Sequence, residues 1–310
     1  MFGEIPEWDL GEFMSGEEKV KRRLGDRNDA RRIRNNELDG CHAFFPYIMP
    51  KRTEAEVWIK EKMDCTDLMK YVKDLNEANP GQKTTYFHAF VTAIAKVVYM
   101  RPLLNRYIIA NKYYERHDII LSFVAKRKFE EEAAEVLISM KVKPDQTLKD
   151  VSKLIVGDVS KVRNDGTNTV DASLDFLKKL PRWVNSIFSG LMRILIYFDL
   201  YPKGFQKGDT NYSSVLISNL GSIKCDAPYH HLNNYGTNSV VLCIGEIHKE
   251  ELIDNDGNKA IRDVVNFGIT LDERIGDGFY FARTAKLLKY IIANPTILER
   301  PIGEKIEYND

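Results

Sequence analysis

The chain predicts a mixed α/β fold, with strands and helices interleaved around one core. Val264-Val265-Asn266-Phe267-Gly268-Ile269-Thr270-Leu271 alternates apolar and small or polar residues in the manner of a strand, and Phe279 to Ile292 repeats its apolar positions at the helical period. At 310 residues and 44% hydrophobic, the chain is long enough to bury one sizeable core. Lys plus Arg and Asp plus Glu number 45 each, so no global basic field exists to attract nucleic acid. Cys41, Cys65, Cys225 and Cys243 are widely spaced with no Cys-x-x-Cys pair, and no apolar signal segment opens the chain. These features predict a reduced, cytoplasmic protein.

Residues 1–38 read as a charged N-terminal extension, and 39–305 as one domain. The extension has a Lys- and Arg-rich, helix-like stretch from Glu17 that leads to Arg31-Arg32-Ile33-Arg34. It predicts either a solvated or subunit-clasping helix, or a basic arm for an anionic ligand. Two helices, about 66–78 and 84–101, bracket the turn signal Asn79-Pro80-Gly81. Strands rich in Ile, Val and Phe follow at about 106–110, 118–126 and 135–142, and 145–159 has helical apolar spacing. Asp254-Asn255-Asp256-Gly257-Asn258 opens like a calcium loop but lacks the frame and closing glutamate of one. It predicts a hairpin turn between strands ending near Glu246 and starting near Ala260.

Between about 177 and 205, Leu180, Trp183, Val184, Ile187, Phe188, Leu191, Met192, Ile194, Leu195 and Phe198 recur at steps of three and four, which draws a broad apolar stripe on a helix. Arg193 and Asp199 interrupt a stretch already near the minimum for spanning a bilayer. The stripe predicts packing inside an oligomer or against the chain's own body, with a membrane-surface or protein partner as the alternative.

Asp272-Glu273-Arg274-Ile275-Gly276-Asp277-Gly278 links the alternating strand to the final helix. It resembles the active-site signature His-x-x-x-Asp-Gly of the dihydrolipoyl acyltransferases of 2-oxo acid dehydrogenase complexes and, more distantly, of chloramphenicol acetyltransferase, with Glu273 on the histidine, Asp277 on the aspartate and Gly278 on the glycine. Asp272 and Asn294-Pro295 also match the dihydrolipoyl branch. Met63-Asp64-Cys65-Thr66-Asp67-Leu68, the Thr84-to-Asn105 stretch, Leu216-Ile217-Ser218-Asn219-Leu220-Gly221-Ser222 and Val240 to Ile247 agree with the family in order. The resemblance implies a chloramphenicol acetyltransferase-like fold, a mainly antiparallel mixed sheet flanked by helices, assembled as a homotrimer with ligand channels between subunits. No lipoyl domain, Ala/Pro-rich linker or subunit-binding domain is recognisable before the body. The expectation is a catalytic-type domain standing alone, in which 177–205 inserts an apolar helix where the family has a short polar connection.

In the family the histidine removes the thiol proton of coenzyme A or dihydrolipoamide so that sulfur attacks a thioester carbonyl. Coenzyme A or a lipoyl thiol is thus the implied cosubstrate, an acyl thioester the implied ligand, and no metal is implied. An imidazole with a pKa near ~6.5 suits the task, whereas a solvated glutamate near ~4.3 is the weaker base. The carboxylate also sets negative charge beside the developing oxyanion, where charge stabilisation is normally the largest catalytic contribution. Burial can raise a carboxyl pKa and partly reverse the handicap. Three readings stay open: weakened or lost acyl transfer, a pseudoenzyme on a retained oligomeric ligand-binding scaffold; an active acyltransferase with Glu273 as base; and an assembly or membrane-surface organiser working through 177–205.

The remaining site residues follow from the same resemblance. Asp277 is expected to hold the turn by pairing with an arginine. Ser218, Asn219 and Ser222 lie where the family places a hydroxyl for the oxyanion, Ser218 ahead of Ser222, or else form an ordinary buried strand and polar turn. Gly221 would let the backbone pass close to a ligand. His230 and His231, in the loop between the two motif strands, are either plain loop residues or substitutes for the missing base. A metal site on this pair lacks ligands, since only Asp226 is nearby. His88 reads as a core histidine.

Overall fold

The computed structural model describes residues 25–126, 135–165, 177–200, 209–253 and 256–308. Its main sheet runs in the order β2 (Glu56–Asp64), β10 (Lys259–Asp272), β8 (Val240–Ile244), β7 (Val215–Asn219), β5 (Ile119–Lys126), β6 (Glu135–Val142), with β9 (His248–Ile253) paired to the first half of β10. β7 is parallel to β5 and β8, and the other pairs are antiparallel. This is the mainly antiparallel mixed sheet expected. A small second sheet has the order β1 (Ala30–Arg32), β4 (Lys112–Arg116), β3 (Arg106–Ile109).

Alternation along the strands decides what each sheet face meets. Val265, Phe267, Ile269 and Leu271 of β10 share one face with Leu242 and Ile244, Val215 and Ile217, and Leu121 and Phe123, all in one buried cluster. Against that face lie α2 (Thr66–Ala78), α3 (Tyr86–Met100), α4 (Leu148–Asp165) and α6 (Gly278–Ala293). α3 is buried from His88 to Val98, as its nearly unbroken apolar run requires, and each fully buried Val, Ile or Phe contributes about 1.5–3 kcal/mol. Thr85 caps it by accepting the His88 N–H at 3.3 Å, and Pro102 follows its end.

On the opposite face of β10 lie Asn266, Gly268, Thr270 and Asp272, and the segment 226–239 crosses over them. A side chain at Gly268 would collide with the Pro228 carbonyl oxygen. β10 is therefore buried on both faces from Val264 to Asp272, apart from the half-covered end of its pairing with β9.

Two expectations are corrected. The end of the N-terminal extension is not a free basic arm: Ala30–Arg32 pairs with β4, Ile33 enters the core, and Arg31 is bound to Glu37 at 2.5 Å and Glu115 at 3.2 Å. The stretch from Glu17 to residue 24 lies outside the described residues. The strand after the Ser-Asn-Leu-Gly motif stops at Ile244, before Glu246, because His248–Ile253 forms its own strand and turns through Gly257, at φ +84°, into β10. Residues 254–255 of that turn lie outside the described residues.

The inserted helix, α5 (Arg182–Tyr197), forms where its apolar spacing places it and packs on the body along part of its surface. Ile196 is buried against Tyr212, and Arg27 donates to the Ile196 carbonyl at 2.9 Å and pairs with Asp199 at 3.1 Å. Its outer stripe is exposed. Residues 201–205 of the predicted insertion lie outside the described residues. Among the described residues no helix is long and apolar enough to cross a membrane. The sequence reading also missed α1 (Gly40–Ile48), whose Asp39 cap accepts from the N–H groups of Cys41 at 2.9 Å and His42 at 3.0 Å.

Candidate active site

β10 ends at Asp272, and a single 3-10 turn, Glu273–Ile275, leads toward α6. Asp272 accepts the Arg274 N–H at 3.2 Å, and the Arg274 guanidinium folds back onto the same carboxylate with Nε at 2.7 Å from Oδ1 and Nη2 at 2.6 Å from Oδ2. Nη1 donates to the Met49 carbonyl at 2.8 Å, which ties the turn to the end of α1. Arg52 approaches from the other side, its Nε 3.9 Å from Asp272 Oδ2. Asp272, Arg274 and Arg52 are 0%, 1% and 4% exposed, so two guanidiniums share one carboxylate out of water. Burial pulls Arg52 down to about 10 against the attraction of Asp272. Its Nη groups donate to the carbonyls of Asn233, Ile108 and Gly236, which makes such burial tolerable, while its buried Nε has no hydrogen-bond partner among the described residues and only the charge of Asp272 facing it.

Glu273 is fixed through its backbone, its N–H donating to the Ala55 carbonyl at 2.8 Å beside the start of β2. Its side chain is half-buried, and its carboxylate makes no hydrogen bond or ion pair with the described residues. The expected pairing of Asp277 with an arginine is not what holds the turn. Asp277 is exposed and caps α6 by accepting the Tyr280 N–H at 2.7 Å. The arginine clamp sits at Asp272 instead, because Arg274 bends back along the strand into the core while Asp277 lies beyond the turn. Gly278 is the exposed first residue of α6, with open space in front of it.

Ser218 lies on the face of β7 away from the helices, half-buried, in register with Cys243 of β8 and through it with Gly268 of β10. Asn219 closes the strand, and its carbonyl accepts the Ser222 hydroxyl at 2.9 Å, so that hydroxyl is turned to its own loop. Gly221 lies against neighbouring backbone. The backbone it approaches is that of Gly245 and Glu246 in the neighbouring strand connection, where any Cβ would collide, so the glycine serves chain packing.

His230 and His231 are exposed, with rings stacked at 4.7 Å between centroids, and His230 Nδ1 lies 2.9 Å from the His231 carbonyl. Their loop is pinned at both ends: Pro228 rests on Gly268, and the Leu232 N–H donates to Glu56 at 2.6 Å, opposite Asp272 in the sheet register. The pair therefore spans the interval between the Ser218 row and the Glu273 turn. Asp226 next to it is held by Asn266 and Lys60. Hydrogen bonds, first from the Ala227 N–H, keep its carboxyl below the usual range. Among the described residues no cluster of three or more His, Cys, Asp or Glu could hold a metal.

Ser218 and Glu273 do not converge within one chain. With Ser218 level with Gly268 two strands away, and Glu273 five residues further along β10, strand geometry separates them by about 20 Å. The apolar cavity of about 40 Å³ between the sheet, α3 and α6 has room for little more than a water molecule.

Residues 203–299, which contain β7, the histidine loop and the Glu273 turn, match the 2-oxoacid dehydrogenases acyltransferase (catalytic domain) family. Over 248 residues the chain is 25% identical to the lipoamide acyltransferase component of the branched-chain alpha-keto acid dehydrogenase complex of Bacillus subtilis strain 168. The chain is thus similar to the 2-oxoacid dehydrogenase acyltransferases, most directly over residues 203–299. That alignment takes in 78% of this chain and 48% of the relative, so the chain spans about half the length of the curated relative it matches. A probable dihydrolipoamide acetyltransferase from Listeria monocytogenes has the same fold, with a TM-score of 0.57 at 17% identity over 88% of this chain and 96% of that one. Chloramphenicol acetyltransferase also shares it, with a TM-score of 0.51 at 13% identity over 85% and 99%.

At this site the sequence gives no sign of Arg52, which no motif marks. Asp272 reads only as the residue preceding the histidine position. Charge parity offered one signal: Asp272 lies two residues from Arg274 at the end of an otherwise uncharged strand segment.

Proposed function

We propose that this chain is an acyltransferase-family domain in which Glu273 stands at the general-base position and acyl transfer between thiols is weakened or lost, while the oligomeric scaffold for an acyl thioester, coenzyme A or a lipoyl thiol is retained. The observation that carries this reading is the Glu273 carboxylate itself, half-buried and without a partner among the described residues. A general base works when a second group fixes its orientation and its proton affinity suits the task. Here the nearby donor that could orient a carboxylate, the Arg274 guanidinium, is engaged by Asp272 and the Met49 carbonyl.

The domain acts as a homo-oligomer, a trimer by family resemblance. The distance of about 20 Å between Ser218 and Glu273 supports this, because a shared site then requires Ser218 of one copy to face Glu273 of another. In that arrangement Ser218 supplies the oxyanion hydroxyl, Asn219 and Gly278 line the ligand path, and Asp277 orders the start of α6. Gly221 and Ser222 act through the shape of their loop.

A second reading is favoured by the pinned loop. His230 and His231 lie between the two halves of the site, and an imidazole there serves as base in an active enzyme. The test measures coenzyme A binding by calorimetry and thiol-dependent acyl exchange for the native chain and Glu273→Ala. Binding with little exchange, unchanged by Glu273→Ala, is expected. Robust exchange abolished by Glu273→Ala overturns the proposal, and exchange lost only in His230→Ala or His231→Ala assigns the base to the loop.

A further inference from the structure

The acyl-transfer reading leaves α5 without a role, and α5 has more apolar surface than the body covers. Val184, Phe188, Met192 and Leu195 are half-buried and Ile196 is buried. A second stripe, Trp183, Ile187, Leu191, Ile194 and the capping Phe198, runs beside them at steps of three and four and is 49–67% exposed. Contiguous exposure on this scale marks an interaction surface rather than scattered surface residues.

Charge narrows the choice of partner. Lys178, Lys179, Arg182 and Arg193 are the charged residues between 177 and 198, with no carboxylate among them, in a chain whose overall charge is zero. None of the four has an ion-pair partner among the described residues. Asp199, the first acid beyond, is held by Arg27 and the Asn28 N–H, and this anchor sets the helix on the body with its stripe outward. Trp183 and Tyr197 stand at the two ends of the helix, a placement suited to a membrane interface.

We propose that α5 docks this chain on an anionic lipid bilayer surface, lying in the plane of the interface with Trp183, Ile187, Leu191 and Ile194 inserted and the four cations against lipid headgroups. At 16 residues the helix is about 24 Å long, shorter than the hydrocarbon layer of about 30 Å, so it lies along the surface. A second copy is the poorer occupant. Two stripes meeting through a twofold axis would bring the same unneutralised cations together. The proposal stands on α5 alone and is independent of the chemistry at Glu273.

The test is co-sedimentation of the whole chain with vesicles of phosphatidylserine and phosphatidylcholine in equal parts, and with phosphatidylcholine alone. Partition onto the anionic vesicles only, weakened by salt, is expected. Ile187→Glu with Leu191→Glu lowers it by at least about tenfold, and each cation replaced by glutamine lowers it by about fivefold. The two apolar positions and the four cations are all exposed, so unfolding temperature stays unchanged as a control on folding. Equal partition onto phosphatidylcholine alone, no partition onto either vesicle, or a fall in subunit number in Ile187→Glu with Leu191→Glu while lipid binding persists would each overturn the proposal.

Discussion

Replacing Asp272 by asparagine tests whether the turn bearing Glu273 is held by the buried charge cluster. Asp272 is fully buried and accepts three hydrogen bonds from Arg274, two of them from its guanidinium at 2.6 and 2.7 Å, with Arg52 at 3.9 Å. Asparagine keeps the size and one acceptor oxygen, so the change removes charge and leaves packing intact. Removing one partner of a buried pair costs about 3–5 kcal/mol because the other charge is stranded, and here two guanidiniums are left without a counter-ion. Against a typical stability of about 5–15 kcal/mol this is about a fifth or more of the total. The assay is urea unfolding followed by tryptophan fluorescence. Asp272→Asn with Arg274→Gln should recover at least about 1 kcal/mol relative to the sum of the single changes, since the two side chains act as a unit. A loss below about 1 kcal/mol in Asp272→Asn, or strict additivity in the double variant, would refute the reasoning.

Three further outcomes are expected. Asp277→Ala removes a helix cap and no ion pair seen among the described residues, so it should cost only about 1 kcal/mol in the same assay, well short of Asp272→Asn. Gly268→Ala drives a methyl into the Pro228 carbonyl and should cost about 1–3 kcal/mol while raising hydrogen exchange across 226–234, with the rest of β10 protected. His88 is buried and its imidazole is pulled down to about 4, so the unfolded chain takes up the proton first, near pH 6.5. Stability should then decline as pH falls from about 6.5 toward 4, by about 2 kcal/mol at pH 5, and His88→Gln should remove that share of the slope in unfolding curves measured across this range.

Where apolar spacing is regular, the sequence alone placed the elements closely: the helices around 66–78, 84–101 and 279–292 and the strands around 118–126, 135–142 and 264–271 all form. It was silent on β4, because Tyr113 and Tyr114 are both buried but on opposite faces, in two different clusters. It missed α1, whose interior Pro46 reads as a breaker. Within the site, the place of Glu273 at the end of a strand was legible from the motif frame. Which carboxylate an arginine meets was not, because Asp272 and Asp277 differ only in which way the turn carries them. The separation of Ser218 from Glu273 was likewise hidden, since it depends on strand order and register, which local patterns do not encode.

The central claim is that a carboxylate at position 273 limits the chemistry of this site. Thiol-dependent acyl exchange with acetyl-coenzyme A, compared between the native chain and Glu273→His, tests it most directly. A positioned general base is worth about 10²- to 10⁴-fold, so the account predicts slow native exchange and a gain of at least about 10²-fold in Glu273→His. Fast native exchange that falls when histidine is introduced would contradict it.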